Sequence, residues 1–495
     1  MATTPTSPAA ALSTHPFDDD KLHEECGVFG IFGSPDAAAN AALGLHALQH
    51  RGQEAAGIVS FDGQQFHAHR ALGHVGENFN SEEVIARLPG TTAIGHNRYA
   101  TTGDTILRNV QPLFAELAGG GFAVAHNGNL TNAKALRRQL VREGCIFQST
   151  MDTEVLIHLV ATSRYTRLVE RLIDALFQIQ GAYSLVAITG KKLIGVRDPL
   201  GVRPLVLGEL DGAPILTSET CALDIIGARY VRDVEPGEIV ICTDGKVESL
   251  KPFPTAPKRF CIFEYVYFAR PDSAVEGLST YEVRKRIGAE LARESHVASD
   301  IVIPVPDSGT PAALGYAAAA EAPFELGIIR NHYVGRTFIE PSQHIRHFGV
   351  KLKHNANRSQ IEGKRVVLVD DSIVRGTTSK KIVQMVRDAG ATEVHMRIAS
   401  PPTMHSCFYG IDTPSRDELL AARMNVQEMQ DYIGVDSLAY ISIDGLYRAV
   451  GGEARNNGGP QFCDACFTGD YPVPLIDQEG DSLGTDQLSL LEEVA

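Results

Sequence analysis

The run Val366-Val-Leu-Val-Asp-Asp-Ser-Ile-Val-Arg-Gly-Thr-Thr378 constrains this chain more than any other stretch. Four consecutive aliphatic residues, mostly β-branched, describe a strand buried on both faces, as in a parallel α/β sheet. The strand ends in two carboxylates, Asp370 and Asp371. A turn through Arg375, Gly376, Thr377 and Thr378 then leads into a helix from Ser379 onward. In open α/β sheets, ligands bind beyond the carboxyl ends of the strands. A helix N-terminus preceded by Gly and Thr offers N–H groups and hydroxyls to a phosphate. Paired carboxylates suit ribose hydroxyls, or a hard divalent cation bridging sugar and phosphate oxygens. Read blandly, the same residues are a strand-to-helix turn with capping Asp and Thr.

Neighbouring segments have the same texture. Val302-Ile-Pro-Val305, Glu325-Leu-Gly-Ile-Ile329, Arg365-Val-Val-Leu-Val369 and Glu393-Val-His-Met-Arg-Ile398 are expected as parallel strands separated by helices. Upstream, Gly27–Phe32, Ala93–Gly95, Gly121–Ala125, Tyr183–Ile188, Leu193–Val196 and Glu238–Cys242 are short strands with Gly and Asn turns, and helical patterns lie near Ala37–His50 and Thr153–Ile179. That mixture predicts a layered α+β domain. Residues 250–259, with Pro252, Pro254 and Pro257 among three cations, form a candidate linker. The expected division is 1–25, a leader; 26–250; 251–475; and 476–495, an acidic tail, since six acids and no base follow from Asp477 onward.

Composition excludes several classes. The net charge of −15 opposes a broad nucleic-acid surface. No stretch approaches the ~20 apolar residues of a membrane span. Eight cysteines in 495 residues are too few for a disulfide scaffold. The leader lacks both the basic start and the apolar run of a secretory signal, and it lacks the arginines of a mitochondrial presequence. Within the acidic chain, residues 330–365 carry eight Lys or Arg against two Glu, a cationic island suited to a small polyanion.

The run Val366–Thr378 resembles the phosphoribosyl-pyrophosphate motif of type I phosphoribosyltransferases. Val302-Ile-Pro-Val-Pro-Asp-Ser-Gly-Thr310 resembles that family's pyrophosphate loop, with Ser308 as a magnesium ligand. Asp370, Asp371 and Ser372 would engage ribose and magnesium–pyrophosphate, and Arg375, Gly376, Thr377 and Thr378 the 5′-phosphate. Arg330-Asn-His-Tyr-Val-Gly-Arg-Thr-Phe338 resembles a closing loop that would bring Arg336 to the substrate.

The first half carries a second resemblance. Cys26-Gly-Val-Phe-Gly-Ile-Phe32, Leu48-Gln-His-Arg-Gly-Gln-Glu54, Gly95-His-Asn-Arg-Tyr-Ala-Thr101, Ala125-His-Asn-Gly-Asn-Leu130 and Arg197-Asp-Pro-Leu-Gly-Val-Arg-Pro-Leu205 match the N-terminal-nucleophile (type II) glutamine amidotransferases. The resemblance implies that Cys26 attacks the glutamine carboxamide. The Asn127 side chain and Gly128 N–H would hold the oxyanion, Arg98 the α-carboxylate and Asp152 the α-ammonium. Helix capping is the bland alternative for Asp152. The Cys26 α-amine has to be free to serve as base, so residues 1–25 are expected to be a propeptide cut between Glu25 and Cys26.

Together the halves resemble the amidophosphoribosyltransferase family. The expected fold is a four-layer αββα domain followed by an α/β type I phosphoribosyltransferase domain. The expected reaction takes ammonia from glutamine to C1 of phosphoribosyl pyrophosphate. Phe462-Cys-Asp-Ala-Cys466 alone fits a redox pair, half a zinc site or half an iron–sulfur site. The resemblance adds Cys261 and Cys407, and implies that Cys261, Cys407, Cys463 and Cys466 hold one 4Fe–4S cluster, with zinc as the rival. It also implies Mg2+, purine-nucleotide inhibitors, a homotetramer and a reduced, cytoplasmic setting. Two other readings compete: a different glutamine-dependent amidotransferase, and a phosphoribosyltransferase-like purine-sensing regulator. The Val366–Thr378 motif opposes the first. The glutaminase-like half and the acidic charge oppose the second.

Overall fold

A computed structural model of the chain describes residues 23–24, 26–98, 106–331 and 354–479. They fall into two compact units. Among the described residues, the first holds 23–24, 26–98, 106–281, 405–413 and 455–479; the second holds 282–331, 354–404 and 414–454.

The first unit is built on two antiparallel sheets. One runs in the order Arg229–Asp233, Val206–Leu210, Ala213–Thr217, Cys26–Phe32, Thr92–Arg98, Ala55–Phe61, Phe66–Leu72. The other runs Lys246–Leu250, Ile239–Thr243, Lys192–Arg197, Gly181–Thr189, Gly120–Leu130, Leu113–Leu117. Alternation along the strands separates their faces. Val28, Val59 and Ile94 of the first sheet share a core with Ala123, Ala125, Val186 and Val240 of the second. Phe29 and Ile31 point the other way, onto the Ala-rich helix Ala37–Ala47. On the far side, helices Thr153–Thr162 and Leu168–Leu176 cover the second sheet. The result is the expected αββα layering. Gly30 sits where a Cβ would lie 2.5 Å from Val186, so a side chain there would force the sheets apart.

The expected helix over Thr153–Ile179 is broken. Polar residues 163–167 interrupt it, with Ser163 Oγ donating to Asp174 at 2.6 Å. Apolar periodicity continues across the break because both pieces face one core, and that hides the turn in the sequence.

The second unit contains a parallel sheet in the order Ile301–Pro304, Arg365–Asp370, Glu393–Ile398, Ser437–Tyr440. Helices such as Thr310–Ala319 and Thr377–Asp388 connect its strands. The expected parallel strand at Glu325–Ile329 does not join it as a ladder. Phe324 makes one isolated bridge to Val302, and Ile328–Arg330 pairs antiparallel with His354–Ala356.

The domain boundaries also differ from those expected. The Pro-rich stretch at 250–259 does not separate the units, because Phe260–Cys261 continues in the first one and pairs in parallel with Phe462–Cys463. Nor is Asp477 part of a tail. Its carboxylate accepts from the N–H groups of Lys134 and Ala135 (2.8 and 3.0 Å) and caps the helix Ala133–Arg142. Among the described residues, no helix is long and apolar enough to cross a membrane.

Helices Thr280–Ser295 and Thr310–Ala319 approach closely. A Cβ on Gly315 would fall 1.9 Å from the Lys285 carbonyl oxygen, and one on Gly288 1.8 Å from that of Ala312. Gly→Ala in an open helix adds ~1 kcal/mol. At Gly315 the collision reverses the sign, and Gly315→Ala is expected to cost about 1–3 kcal/mol in thermal or urea unfolding. An unchanged or raised midpoint would contradict this packing.

Candidate active site

Cys26 opens its strand in register with Arg98, the last residue of the neighbouring antiparallel strand. The expected nucleophile and the expected carboxylate clamp are thus fixed opposite each other by a ladder of backbone hydrogen bonds. Gly52 of the Leu48–Glu54 motif packs on the same point. A Cβ there would lie 2.7 Å from the Arg98 carbonyl carbon, so only glycine permits the approach. The Arg98 guanidinium is buried and donates from Nη1 to the Asn109 carbonyl at 2.7 Å. Asn109 in turn exchanges hydrogen bonds with Thr150, through Nδ2 to Oγ1 (2.9 Å) and from Thr150 N–H to Oδ1 (3.1 Å). Asn109 therefore links Arg98, through its carbonyl, to Thr150, through its side chain, two residues before Asp152.

Asp152 occupies the N-cap position of the helix Thr153–Thr162, but its side chain does not cap that helix. Its carboxylate accepts from the Leu130 N–H (3.0 Å) and the Thr153 hydroxyl (3.2 Å), and lies 3.6 Å from His126 Nδ1. Burial pushes the carboxyl up. The neighbouring His126 and the Leu130 and Thr153 N–H groups more than offset that, and the pKa settles below the usual carboxylate value. His96, whose Nε2 lies 3.1 Å from the His126 carbonyl, is pushed down to about 3 by burial, so the imidazole is neutral.

Asn127 is fully buried on the strand Gly120–Leu130, and neither atom of its carboxamide has a hydrogen-bond partner among the described residues. A buried amide left so costs ~1–3 kcal/mol. Such a cost is expected where a group is held ready for a ligand. Gly128 follows, with φ +137° and a partner, Tyr183, on the next strand. A Cβ on Gly128 would lie 2.0 Å from the Ala182 carbonyl oxygen. The remaining motif, Arg197–Leu205, is architectural. Asp198 accepts from the N–H groups of Leu200 and Val202 (both 2.9 Å), and the Arg197 guanidinium ties down the carbonyls of Arg203, Val234 and Gly201.

In the second unit, two loops meet at the carboxyl ends of adjacent parallel strands. Pro304 and Val369 are in register, and Val305 N–H reaches the Val369 carbonyl at 2.8 Å. A Cβ on Gly309 would lie 2.5 Å from that same oxygen, which brings the Ser308 loop close to Asp370. Asp370 and Asp371 are buried; Asp371 N–H donates to Asp370 Oδ1 (2.9 Å) and Ser372 Oγ to Asp371 Oδ2 (2.8 Å). Gly376 is left-handed (φ +77°) and opens the helix Thr377–Asp388, so the first N–H groups of that helix follow directly on the Asp strand. The Arg375 guanidinium engages Glu418 (Nε 2.9 Å, Nη2 2.8 Å). Arg330 pairs with Asp307 at 2.5 Å. Arg336 and most of the cationic island lie outside the described residues.

The four cysteines belong to the first unit. Cys261 and Cys463 are register partners, and the Cys466 carbonyl accepts from His405 N–H at 3.0 Å, two residues from Cys407. Burial pushes the Cys261 thiol up to about 12, and burial together with the charges of Cys261 and Cys407 pushes Cys463 and Cys466 well up. The four cysteines thus lie on adjoining segments. Among the described residues, no three His, Cys, Asp or Glu side chains are arranged around a single metal ion.

The sequence reading names every residue assigned to glutamine, but not the supporting roles of Asn109, His126 and Asp477. His126 does precede Asn127 within its motif. Asn109 and Asp477 carry no local signal. Asp152's lowered pKa has a measurable consequence. Its ionised form stabilises the fold at pH above the ordinary carboxylate value near 4, and this contribution is lost as pH falls through the depressed value. Asp152→Asn is therefore expected to cost more stability at pH 7 than at pH 3. An equal cost at both would contradict the assignment.

Residues 96–224 match the glutamine amidotransferase domain family, and residues 279–399 the phosphoribosyl transferase domain family. The amidophosphoribosyltransferase of Rhizobium etli is 63% identical over 482 residues, covering 96% of this chain and 97% of that protein. The Bacillus subtilis amidophosphoribosyltransferase is 49% identical over 455 residues, covering 92% and 95%. The solved structure of the B. subtilis glutamine phosphoribosylpyrophosphate amidotransferase, complexed with ADP and GMP, superposes with a TM-score of 0.86 at 47% identity, covering 91% of this chain and 98% of that one. With likeness of this degree along nearly its whole length, the chain belongs to the amidophosphoribosyltransferase family.

Proposed function

We propose that this chain performs its family's reaction with the residues described above. Glutamine enters the first unit with its α-carboxylate on Arg98 and its α-ammonium on Asp152. The Cys26 sulfur attacks the carboxamide carbon. The α-amine of Cys26, with a pKa near neutral once freed, takes the thiol proton and returns it to the departing ammonia. The oxyanion is held by Asn127 Nδ2 and Gly128 N–H. The thioester is then hydrolysed to glutamate. In the second unit, ammonia attacks C1 of phosphoribosyl pyrophosphate as the C1–O bond to pyrophosphate breaks, leaving 5-phosphoribosylamine. This is the entry reaction of purine biosynthesis. The observation that carries the glutaminase half is the buried, unpartnered Asn127 carboxamide beside Gly128.

The N–H groups of Gly376, Thr377 and Thr378 and the threonine hydroxyls would receive the 5′-phosphate, and Asp370 and Asp371 the ribose hydroxyls. An all-oxygen donor set of Asp370, Asp371 and Ser308 suits Mg2+, which commonly takes one or two carboxylates and completes its shell with phosphate oxygens and water. Bound there, it would neutralise the pyrophosphate leaving group. Arg336 is assigned to the same substrate, and purine nucleotides act as feedback inhibitors of a homotetramer.

Removal of residues 1–25 is part of the proposal, because an internal Cys26 has no α-amine. Cys26→Ala should abolish glutamine-dependent synthesis of phosphoribosylamine yet keep the ammonia-dependent synthesis, and the intact mass of active protein should begin at Cys26. Undiminished glutamine use by the variant, or full activity with an uncut leader, would overturn the assignment.

Cys261, Cys407, Cys463 and Cys466 are assigned to one 4Fe–4S cluster. Cys261 and Cys463 face each other across one parallel ladder, and His405, two residues from Cys407, bonds the Cys466 carbonyl, so four thiols on adjoining segments offer the ligand complement such a cluster takes. In a cluster each sulfur binds its own iron, whereas tetrahedral zinc draws four sulfurs to ~2.3 Å from one ion. The cluster has no electron to transfer in this reaction, so its role is structural. Anaerobically purified protein should be brown, with about four iron and four sulfide per chain. A colourless, active, zinc-loaded protein would refute the cluster.

A further inference from the structure

The segment His405–Thr413 carries Cys407, yet its other face touches the glutaminase centre, and nothing in the proposed chemistry accounts for that contact. Asn129 Nδ2 donates to the Phe408 carbonyl at 2.9 Å. Gly410 lies directly on Gly128: a Cβ on Gly410 would fall 2.8 Å from the Gly128 Cα and 3.2 Å from its carbonyl carbon. Gly410 has φ +107°, a conformation that favours glycine. A Cβ on Gly128 itself would meet the Ala182 carbonyl. Gly128 therefore packs against both a neighbouring strand and a loop 282 positions further along the chain.

That loop has little regular structure of its own, but it is cross-linked at each end. Cys407 N–H donates to Thr413 Oγ1 (2.7 Å) and Tyr409 N–H to Cys407 Sγ (3.4 Å). The Tyr409 hydroxyl donates to the Val473 carbonyl (2.6 Å) and accepts from Val473 N–H (2.9 Å), and the Tyr471 hydroxyl donates to the Ser406 carbonyl (2.5 Å). A glycine on a strand is the position with the least side-chain support. An oxyanion donor has to be held within about 0.5 Å of its working place. Here the support comes from outside the strand.

We propose that Gly410 is a positioning residue for the glutaminase reaction, its backbone holding the Gly128 N–H in line with the oxyanion. The inference rests on the reading of Gly128 as an oxyanion donor. Gly410 touches no substrate and acts only through Gly128.

Gly410→Ala, measured in the processed enzyme that begins at Cys26, tests it. Loss of one oxyanion donor costs ~10²–10³ in kcat, so a displaced donor is expected to lower glutamine-dependent kcat by about 10-fold or more. KM for glutamine should stay within about twofold, since Arg98 and Asp152 are untouched. Ammonia-dependent synthesis and the rate of Cys26 alkylation by iodoacetamide, neither of which uses the oxyanion hole, should match the parent enzyme. Asn129→Ala removes the tie to Phe408 without adding bulk, and should shift kcat in the same direction by less; it serves if Gly410→Ala fails to fold. Unchanged kcat in both variants overturns the proposal, as does a joint fall of kcat, ammonia-dependent synthesis and alkylation, which marks a general structural role. Asn127→Ala separates the two levels. If it leaves glutaminase kcat intact, the oxyanion reading itself is wrong; if it lowers kcat while Gly410→Ala does not, only the role of Gly410 is.

Discussion

The antiparallel pairing of Cys26–Phe32 with Thr92–Arg98 is the constraint on which the glutaminase half depends. It sets Cys26 opposite Arg98. It also places Val28 and Ile94 in the core between the sheets, while Phe29 and Ile31 face the helix Ala37–Ala47. A slip of one residue would turn every one of these side chains to the wrong face, so burial of the core and alignment of the site are enforced by one register. The glycines at positions 30 and 52 remove the side chains that would spoil this approach, one toward the facing sheet and one toward the Arg98 backbone.

The same logic recurs in the phosphoribosyl unit with parallel strands. Pairing of Ile301–Pro304 with Arg365–Asp370 brings two loops to one edge, where Ser308, Asp370 and the N-terminus of the helix Thr377–Asp388 are close. Helix packing fixes that edge from below. The mutual exclusion of side chains at Gly288 and Gly315 allows the two helices to meet backbone to backbone.

Polar groups around the glutamine site are buried in a ranked way. Arg98 and Asp152 are held by protein partners, so they can wait in position at little cost. Asn127 has none among the described residues, so its desolvation is stored in the fold. In the proposed reaction, an oxyanion formed only in the transition state would gain from that donor without displacing another bond, which would favour the transition state over the bound substrate.

The sequence by itself determined the layers and named the candidate site residues. Strand alternation, the Val366–Thr378 run and the glutaminase motifs are local patterns, and each motif sits where its neighbours predict a strand end or turn. Tertiary structure alone decided what supports them. The return of residues 405–413 and 455–479 to the first unit, Gly410 on Gly128 and Asp477 capping the helix Ala133–Arg142 join positions about 280 and 340 residues apart. The antiparallel course of Ile328–Arg330, in place of the expected parallel strand, is likewise set by a partner at His354–Ala356. A local pattern records which face of an element is buried. It holds no record of which distant segment does the burying, because that is fixed by shape and unsatisfied backbone groups that exist only once the chain has folded.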